Sequence, residues 1–170
     1  MNFKKFIRPG KKASDITPLF LDKEAFQNLI DKLANLFRDQ KIDKVACVEG
    51  RGFILGSAVA YRLKLGLILI RQQGKLQNES LSATYTDYSG QEKVLEIHKD
   101  AILCGDNILI IDDWVETGNT LKTVIQLIQK CQGKVVGIGV FIDDSNENLK
   151  EYLRNYNYKF LEKVSQQDNF

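Results

Sequence analysis

Residues 107–129, NILIIDDWVETGNTLKTVIQLIQ, decide the fold. Ile108 to Ile111, opened by Asn107, form an apolar run that reads as a buried strand. The run ends on two acids, Asp112 and Asp113. A turn follows, Trp114-Val115-Glu116, and then Thr117-Gly118-Asn119-Thr120. From Leu121, apolar residues recur at helical spacing: Leu121, Val124, Ile125 and Ile128. The stretch is therefore a strand, a small-residue and hydroxyl-rich loop, and the start of a helix. Backbone N–H groups at a helix N-terminus lack intrahelical acceptors and carry partial positive charge, which suits a phosphate. The two acids at the strand end can accept hydrogen bonds from sugar hydroxyls. One loop can thus hold a ribose together with its phosphate.

The same pattern repeats outward along the chain. Phe26, Leu29, Ile30, Leu33, Leu36 and Phe37 predict a helix within Asp22 to Gln40. Ile42 to Val48 reads as a strand, Gly52 to Leu63 as the helix behind it, and Leu67 to Ile70 as a second apolar strand. Lys93 to Ile97 alternates like a strand, and Val135 to Ile142 is a buried strand beyond the Leu121 to Cys131 helix. The tail has a short amphipathic helix pattern at Leu149, Tyr152 and Leu153, one last strand as an option, and a polar end expected to fray. Alternating strands and helices predict an α/β fold: a mainly parallel, twisted sheet with helices on both faces. Ligands in such sheets sit beyond the carboxyl ends of the strands. The loops after Val48, Ile70, Ile111 and Ile142 are then expected to share one rim. The polar stretch Gln72 to Gly90 is a long excursion, of the kind that serves as a lid or binding loop.

Composition narrows the function classes. The 170 residues suit one domain with a full core. Hydrophobic residues make up 44% and charged residues 27%, as in an ordinary globular protein. A formal charge of +2 argues against an extended basic surface for duplex nucleic acid. No stretch reaches the roughly 18 apolar residues of a membrane helix, and the N-terminal segment has no apolar signal-peptide core. A cytoplasmic location is the default expectation. Cys47, Cys104 and Cys131 are widely spaced and odd in number, which predicts buried free thiols rather than a disulfide frame. His98 is the only histidine, and no Cys or His cluster has zinc-ligand spacing.

Two further constellations face the same rim. VACVEGRG at 45–52 ends a strand on Glu49-Gly50-Arg51-Gly52, where two glycines admit an anion and Arg51 adds a forked donor. Taken alone it is equally a tight strand-to-helix turn with a surface Arg. RQQGK at 71–75 sets Arg71 and Lys75 around a glycine, which suits a diphosphate; solvated charges in a turn are the other reading.

ILIIDDWVETGNT resembles the signature of the type I phosphoribosyltransferases: an apolar strand, two acids, and then T-G-x-T. EGRGFILGSAVAYRL, LILIRQQGKL, VLEIHKDAI and SDITPLF, in that family's spacing over residues 9 to about 143, look like its adenine phosphoribosyltransferase branch. The resemblance implies one phosphoribosyltransferase domain over 1–170, with a small N-terminal hood from about 1–21 and a flexible loop at about 72–92. It implies transfer of the phosphoribosyl group of phosphoribosyl diphosphate to a purine base, adenine first, in purine salvage. Magnesium would bridge diphosphate and ribose hydroxyls, with Asp112 and Asp113 as its protein neighbours, in a homodimer. By the same resemblance Asp112 and Asp113 face the ribose, and Glu116, Thr117, Gly118, Asn119 and Thr120 cradle the 5-phosphate. Glu49, Gly50 and Arg51 hold the diphosphate, with a strained peptide at Glu49-Gly50 as an option. Arg71 and Lys75 neutralise the leaving pyrophosphate, so Arg51 and Lys75 count with the catalytic groups.

The proton-handling carboxylate of the family lies in a Glu-Tyr pair, where this chain has Asp87-Tyr88, one methylene shorter and one residue out of register. The base pocket departs further. The family's P-G-x-x-F-x-D segment is Pro9-Gly10-Lys11-Lys12-Ala13-Ser14-Asp15 here, with Ala13 in place of the stacking Phe and Ser14 in place of a basic residue. Lys12, Ala13, Ser14 and Trp114 are the base-binding candidates. Trp114 either replaces the lost stacking face or turns toward the core. Three readings stay open: adenine transfer; transfer to guanine, hypoxanthine, xanthine or a non-purine acceptor; and a nucleotide-sensing regulator without turnover.

Overall fold

The computed structural model describes residues 1–9, 14–87 and 90–163. A single 3-10 turn at Lys4–Phe6 opens the chain, followed by α1 (Thr17–Leu21) and α2 (Lys23–Asn35). Asp22 lies outside α2 and caps it, accepting hydrogen bonds from the N–H groups of Glu24 and Ala25. A cap of that kind contributes about 1 kcal/mol. Then come β1 (Lys44–Val48), α3 (Arg51–Leu63), β2 (Gly66–Gln72), β3 (Ser80–Thr86), β4 (Glu92–His98), β5 (Asn107–Val115), α4 (Asn119–Lys130), β6 (Lys134–Asp143), α5 (Glu147–Arg154) and β7 (Tyr158–Lys163).

Among the described residues the strands form one seven-stranded sheet in the order β3-β4-β2-β1-β5-β6-β7. The run from β2 through β1, β5 and β6 to β7 is parallel. Only β2–β4 and β3–β4 are antiparallel. Both faces are covered, which is why the central strands read as unbroken apolar runs rather than alternating ones. In β5, Ile108 and Ile110 join the core under α4, while Leu109 and Ile111 join the core under α2 and α3. Helix α3 leaves β1 on one face and α4 leaves β5 on the other. The strand order reverses between β1 and β5, so the crevice beyond their carboxyl ends is the ligand position of such a sheet.

Three elements differ from the sequence reading. β5 continues through both acids to Val115, because β6 runs alongside it and pairs Asp112 with Val140, Trp114 with Ile142 and Val115 with Asp143. The excursion after β2 is largely regular, since β3 pairs with β4 over seven residues, Ser80↔His98 to Thr86↔Glu92. The cysteines divide: Cys47 and Cys131 are buried, but Cys104 is exposed in the turn before β5. The tail forms α5 and β7; its polar end, 164–170, lies outside the described residues. No helix of the described residues is long and apolar enough to cross a membrane.

Candidate active site

The acid pair sits at the carboxyl end of β5 and is nearly closed to solvent, with Asp112 9% and Asp113 8% exposed. Asp112 Oδ1 accepts the N–H of Asp113 at 2.9 Å. It also lies against Gly52 in the first turn of α3, where a Cβ would come within 2.7 Å of that oxygen. The second glycine of Glu49-Gly50-Arg51-Gly52 is thus there to admit a carboxylate. Burial, and then the neighbouring charge of Asp113, push the Asp112 carboxyl well above the usual carboxylate range. Burial also raises Asp113, against the pull of the Arg51 guanidinium. Arg51 Nε stands 2.6 Å from Asp113 Oδ2. That oxygen receives no well-directed N–H, so the contact is a charge pairing rather than an aligned hydrogen bond. Arg51 Nη1 donates to the carbonyl of Ser14 at 3.0 Å. One arginine therefore joins the acid pair to the N-terminal segment, whose Arg8 and Asp15 exchange both backbone hydrogen bonds at 2.9 and 2.8 Å.

Just beyond the carboxyl end of β1, Arg71 and Lys75 converge on Glu49. Lys75 Nζ binds Glu49 Oε1, Arg71 Nε lies 3.6 Å from Glu49 Oε2, and the Gln72 N–H donates to Oε2 at 3.1 Å. Burial alone would raise Glu49, but Lys75, the Gln72 N–H and Arg71 together bring it below the usual range. The two cations are held side by side at one anion. Gly50, between Glu49 and Arg51, has φ +110° and ψ −136°, a region closed to residues with a Cβ. No peptide bond of the described residues is cis.

Gly118, at φ +72°, turns the chain into α4. Thr117 is exposed, Asn119 and Thr120 are half-buried, and Glu116 is exposed beside them. The first N–H groups of α4 have no carbonyl one turn back to pair with. They open at the same rim as Asp112 and Asp113. The arrangement is two buried carboxylates at the end of β5, a helix N-terminus opened by Gly118, and a pair of cations at Glu49 beyond the end of β1. It matches a sugar bearing an anion at each end.

A phosphoribosyl transferase domain model matches residues 19–169. The chain belongs to this family. An adenine phosphoribosyltransferase of Halothermothrix orenii is 42% identical over 163 residues, covering 92% of this chain and 95% of its own. Among solved structures, the adenine phosphoribosyltransferase of Thermoanaerobacter pseudethanolicus superposes with a TM-score of 0.85 at 34% identity, covering 95% of this chain and 98% of that one. That of Rhodothermus marinus gives 0.84 at 33% identity, covering 95% and 96%. The chain is thus a phosphoribosyltransferase by family, and an enzyme.

The remaining candidates of this phosphoribosyltransferase are placed as follows. Asp87 stands at the hairpin between β3 and β4. Its carboxylate accepts the Gln91 N–H at 3.1 Å and lies 2.6 Å from Lys93 Nζ. The residue before it, Thr86, gives its carbonyl to Asn119 Nδ2 at 2.9 Å, so the hairpin is fastened to the start of α4. Trp114 packs against the core beneath α1 and α2, the second of the two positions open to it, and stays half-buried. Ser14 meets Arg51 through its carbonyl. Lys12 and Ala13 lie outside the described residues.

Sequence reasoning missed a buried polar group next to the loop. Asp143, fully buried at the end of β6, accepts from Ser145 Oγ at 2.5 Å and Tyr158 Oη at 2.7 Å. Its only signal in the sequence was an acid closing a buried strand, the same signal that marked Asp112.

Proposed function

We propose that this phosphoribosyltransferase joins adenine to the phosphoribosyl group of phosphoribosyl diphosphate, giving AMP and pyrophosphate. One observation carries the reading: the buried acid pair and the Thr117–Thr120 helix start stand together at the switch between β1 and β5. The name shared by the relatives supports adenine as acceptor.

In this reading Asp112 and Asp113 accept the ribose 2- and 3-hydroxyls. The N–H groups of residues 117–120, with the hydroxyls of Thr117 and Thr120, take the 5-phosphate, and Glu116 borders them. Gly50 and Arg51 border the diphosphate, and Arg71 and Lys75 leave Glu49 for it as it arrives. The N9 lone pair of the base then attacks C1 of the ribose while the C1–O bond breaks toward pyrophosphate. Positive charge grows on the ribose and negative charge on the leaving group, so preorganised cations and N–H donors act where charge develops. Asp87 takes the proton released from N9, which requires Lys93 to yield it. Ser14 borders the base in this reading.

Asp112 and Asp113 offer hard oxygen donors, and magnesium binds through one or two carboxylates plus substrate phosphates and water. The pair fits that ion, which when bound would neutralise the diphosphate. The reaction belongs in the cytosol, where free bases and phosphoribosyl diphosphate occur. A second copy of the chain fits the half-exposed apolar face of α3 and β2, where Ile54, Tyr61, Leu67 and Leu69 remain open to solvent.

One sequence feature and one structural feature favour a second reading: Ala13 in place of the stacking Phe, and Asp87 already engaged by Lys93. These fit another acceptor base, or a nucleotide sensor. Pyrophosphate release, measured with magnesium, phosphoribosyl diphosphate and a panel of bases, decides. Release with adenine well above guanine, hypoxanthine and xanthine is expected. Preference for another base would sink the adenine assignment, and tight nucleotide binding with no release would sink transfer altogether.

A further inference from the structure

Behind the Thr117–Thr120 loop lies α5, and its Leu149 side chain touches Gly118. A Cβ built on Gly118 would come within 2.4 Å of Leu149 Cδ2 and 2.5 Å of Cδ1. Leu149 is 3% exposed and part of the core around α4. The loop therefore rests on this side chain with no spare room.

Helix α5 is itself held by Asp143. The carboxylate receives Ser145 Oγ from the turn into α5 and Tyr158 Oη from β7. The next residue, Asp144, donates its N–H to the carbonyl of Val115 at 2.8 Å, just before the loop. Asn146 then caps α5 by accepting the Leu149 N–H at 2.9 Å. Asp143 Oδ2 is buried without a protein hydrogen-bond partner. A buried carboxylate left half-satisfied costs stability and is better understood as fixing geometry than as strengthening the fold.

We propose that Leu149 is a positioning residue for the 5-phosphate. Seated by the Asp143–Ser145–Tyr158 network, it sets Gly118 and hence the aim of the N–H groups that open α4. The inference rests on the phosphate-cradle reading above and adds what holds the cradle in place. Displacing such donors by a fraction of an ångström weakens anion binding without touching a group that contacts the ligand.

The test is calorimetric binding of ribose 5-phosphate and of pyrophosphate to the full chain, as wild type, Leu149→Ala, Leu149→Met and Tyr158→Phe. A residue that only supports the fold would weaken both ligands alike. As a positioning residue, Leu149→Ala should lose about tenfold in ribose 5-phosphate affinity and keep pyrophosphate within about twofold. Leu149→Met, which conserves volume, should restore most of the loss. Tyr158→Phe removes one hydroxyl and should show the same selectivity at about threefold, which keeps the proposal testable if Leu149→Ala does not fold. Equal losses for the two ligands, or no loss in Leu149→Ala and Tyr158→Phe, would overturn it. A wild-type chain that does not bind ribose 5-phosphate would instead overturn the cradle reading itself.

Discussion

Asp112 illustrates at residue scale how a site works against its own fold. Its carboxyl is raised by burial and by Asp113, so the folded chain holds that proton more tightly than the unfolded chain does. A carboxyl raised on folding destabilises progressively as pH climbs from the unfolded value, 3.8, through the folded one. Asp112→Asn keeps an oxygen for the Asp113 N–H and removes the charge. The thermal midpoint of the variant should therefore exceed wild type at pH 7, and the gap should close as pH falls below the unfolded value of 3.8, where the carboxyl is protonated in folded and unfolded chain alike. Turnover should fall by about 100-fold, because the proposed orienting contact to the ribose is lost. A midpoint below wild type at pH 7 would show that the charge is well solvated or paired. Lys75 gives the complementary case. In the proposed site its removal leaves the diphosphate with one cation fewer, so Lys75→Ala should raise the KM for phosphoribosyl diphosphate by about tenfold, measured by initial rates. An unchanged KM would place the diphosphate elsewhere.

Elements explain what was legible in the sequence and what was not. The helix start after the acid pair was readable, because Thr-Gly-Asn-Thr and the spacing from Leu121 to Ile128 are local signals. The end of β5 was not: Asp112, Asp113 and Trp114 are polar or bulky, and only the neighbouring length of β6 keeps them in the strand. β3 was hidden in the same way, since Ser80, Ser82, Thr84 and Thr86 read as loop residues until β4 supplies a partner. Leu149 looked like one more apolar position of a short helix, and its contact with Gly118 spans 31 positions of sequence. The hairpin carrying Asp87 makes its own prediction. Asn119 ties it to α4 through Thr86, so Asn119→Ala should speed amide hydrogen exchange in Ser80–Thr86 and Glu92–His98 severalfold. Exchange equal to wild type would mean that strand pairing alone holds the hairpin.

For the whole molecule, two helical layers on one sheet leave an apolar face of α3 and β2 only partly covered. Leu67 and Leu69 on β2 are 38% and 40% exposed, on the strand face opposite buried Ile68 and Ile70, and Ile54 and Tyr61 on α3 are also open to solvent. We propose that this exposed apolar area is where a second copy docks. Light scattering should give twice the chain mass for wild type and a single chain mass for Leu69→Glu. A monomeric wild type would refute the proposed homodimer. The central claim concerns the crevice between β1 and β5, which is also where the parallel sheet reverses its order. A crystal structure of the chain with AMP tests it most directly. The phosphate should lie within hydrogen-bonding distance of the N–H groups of residues 117–120, with the ribose hydroxyls on Asp112 and Asp113. A phosphate seated anywhere else, with that helix start bare, would contradict it.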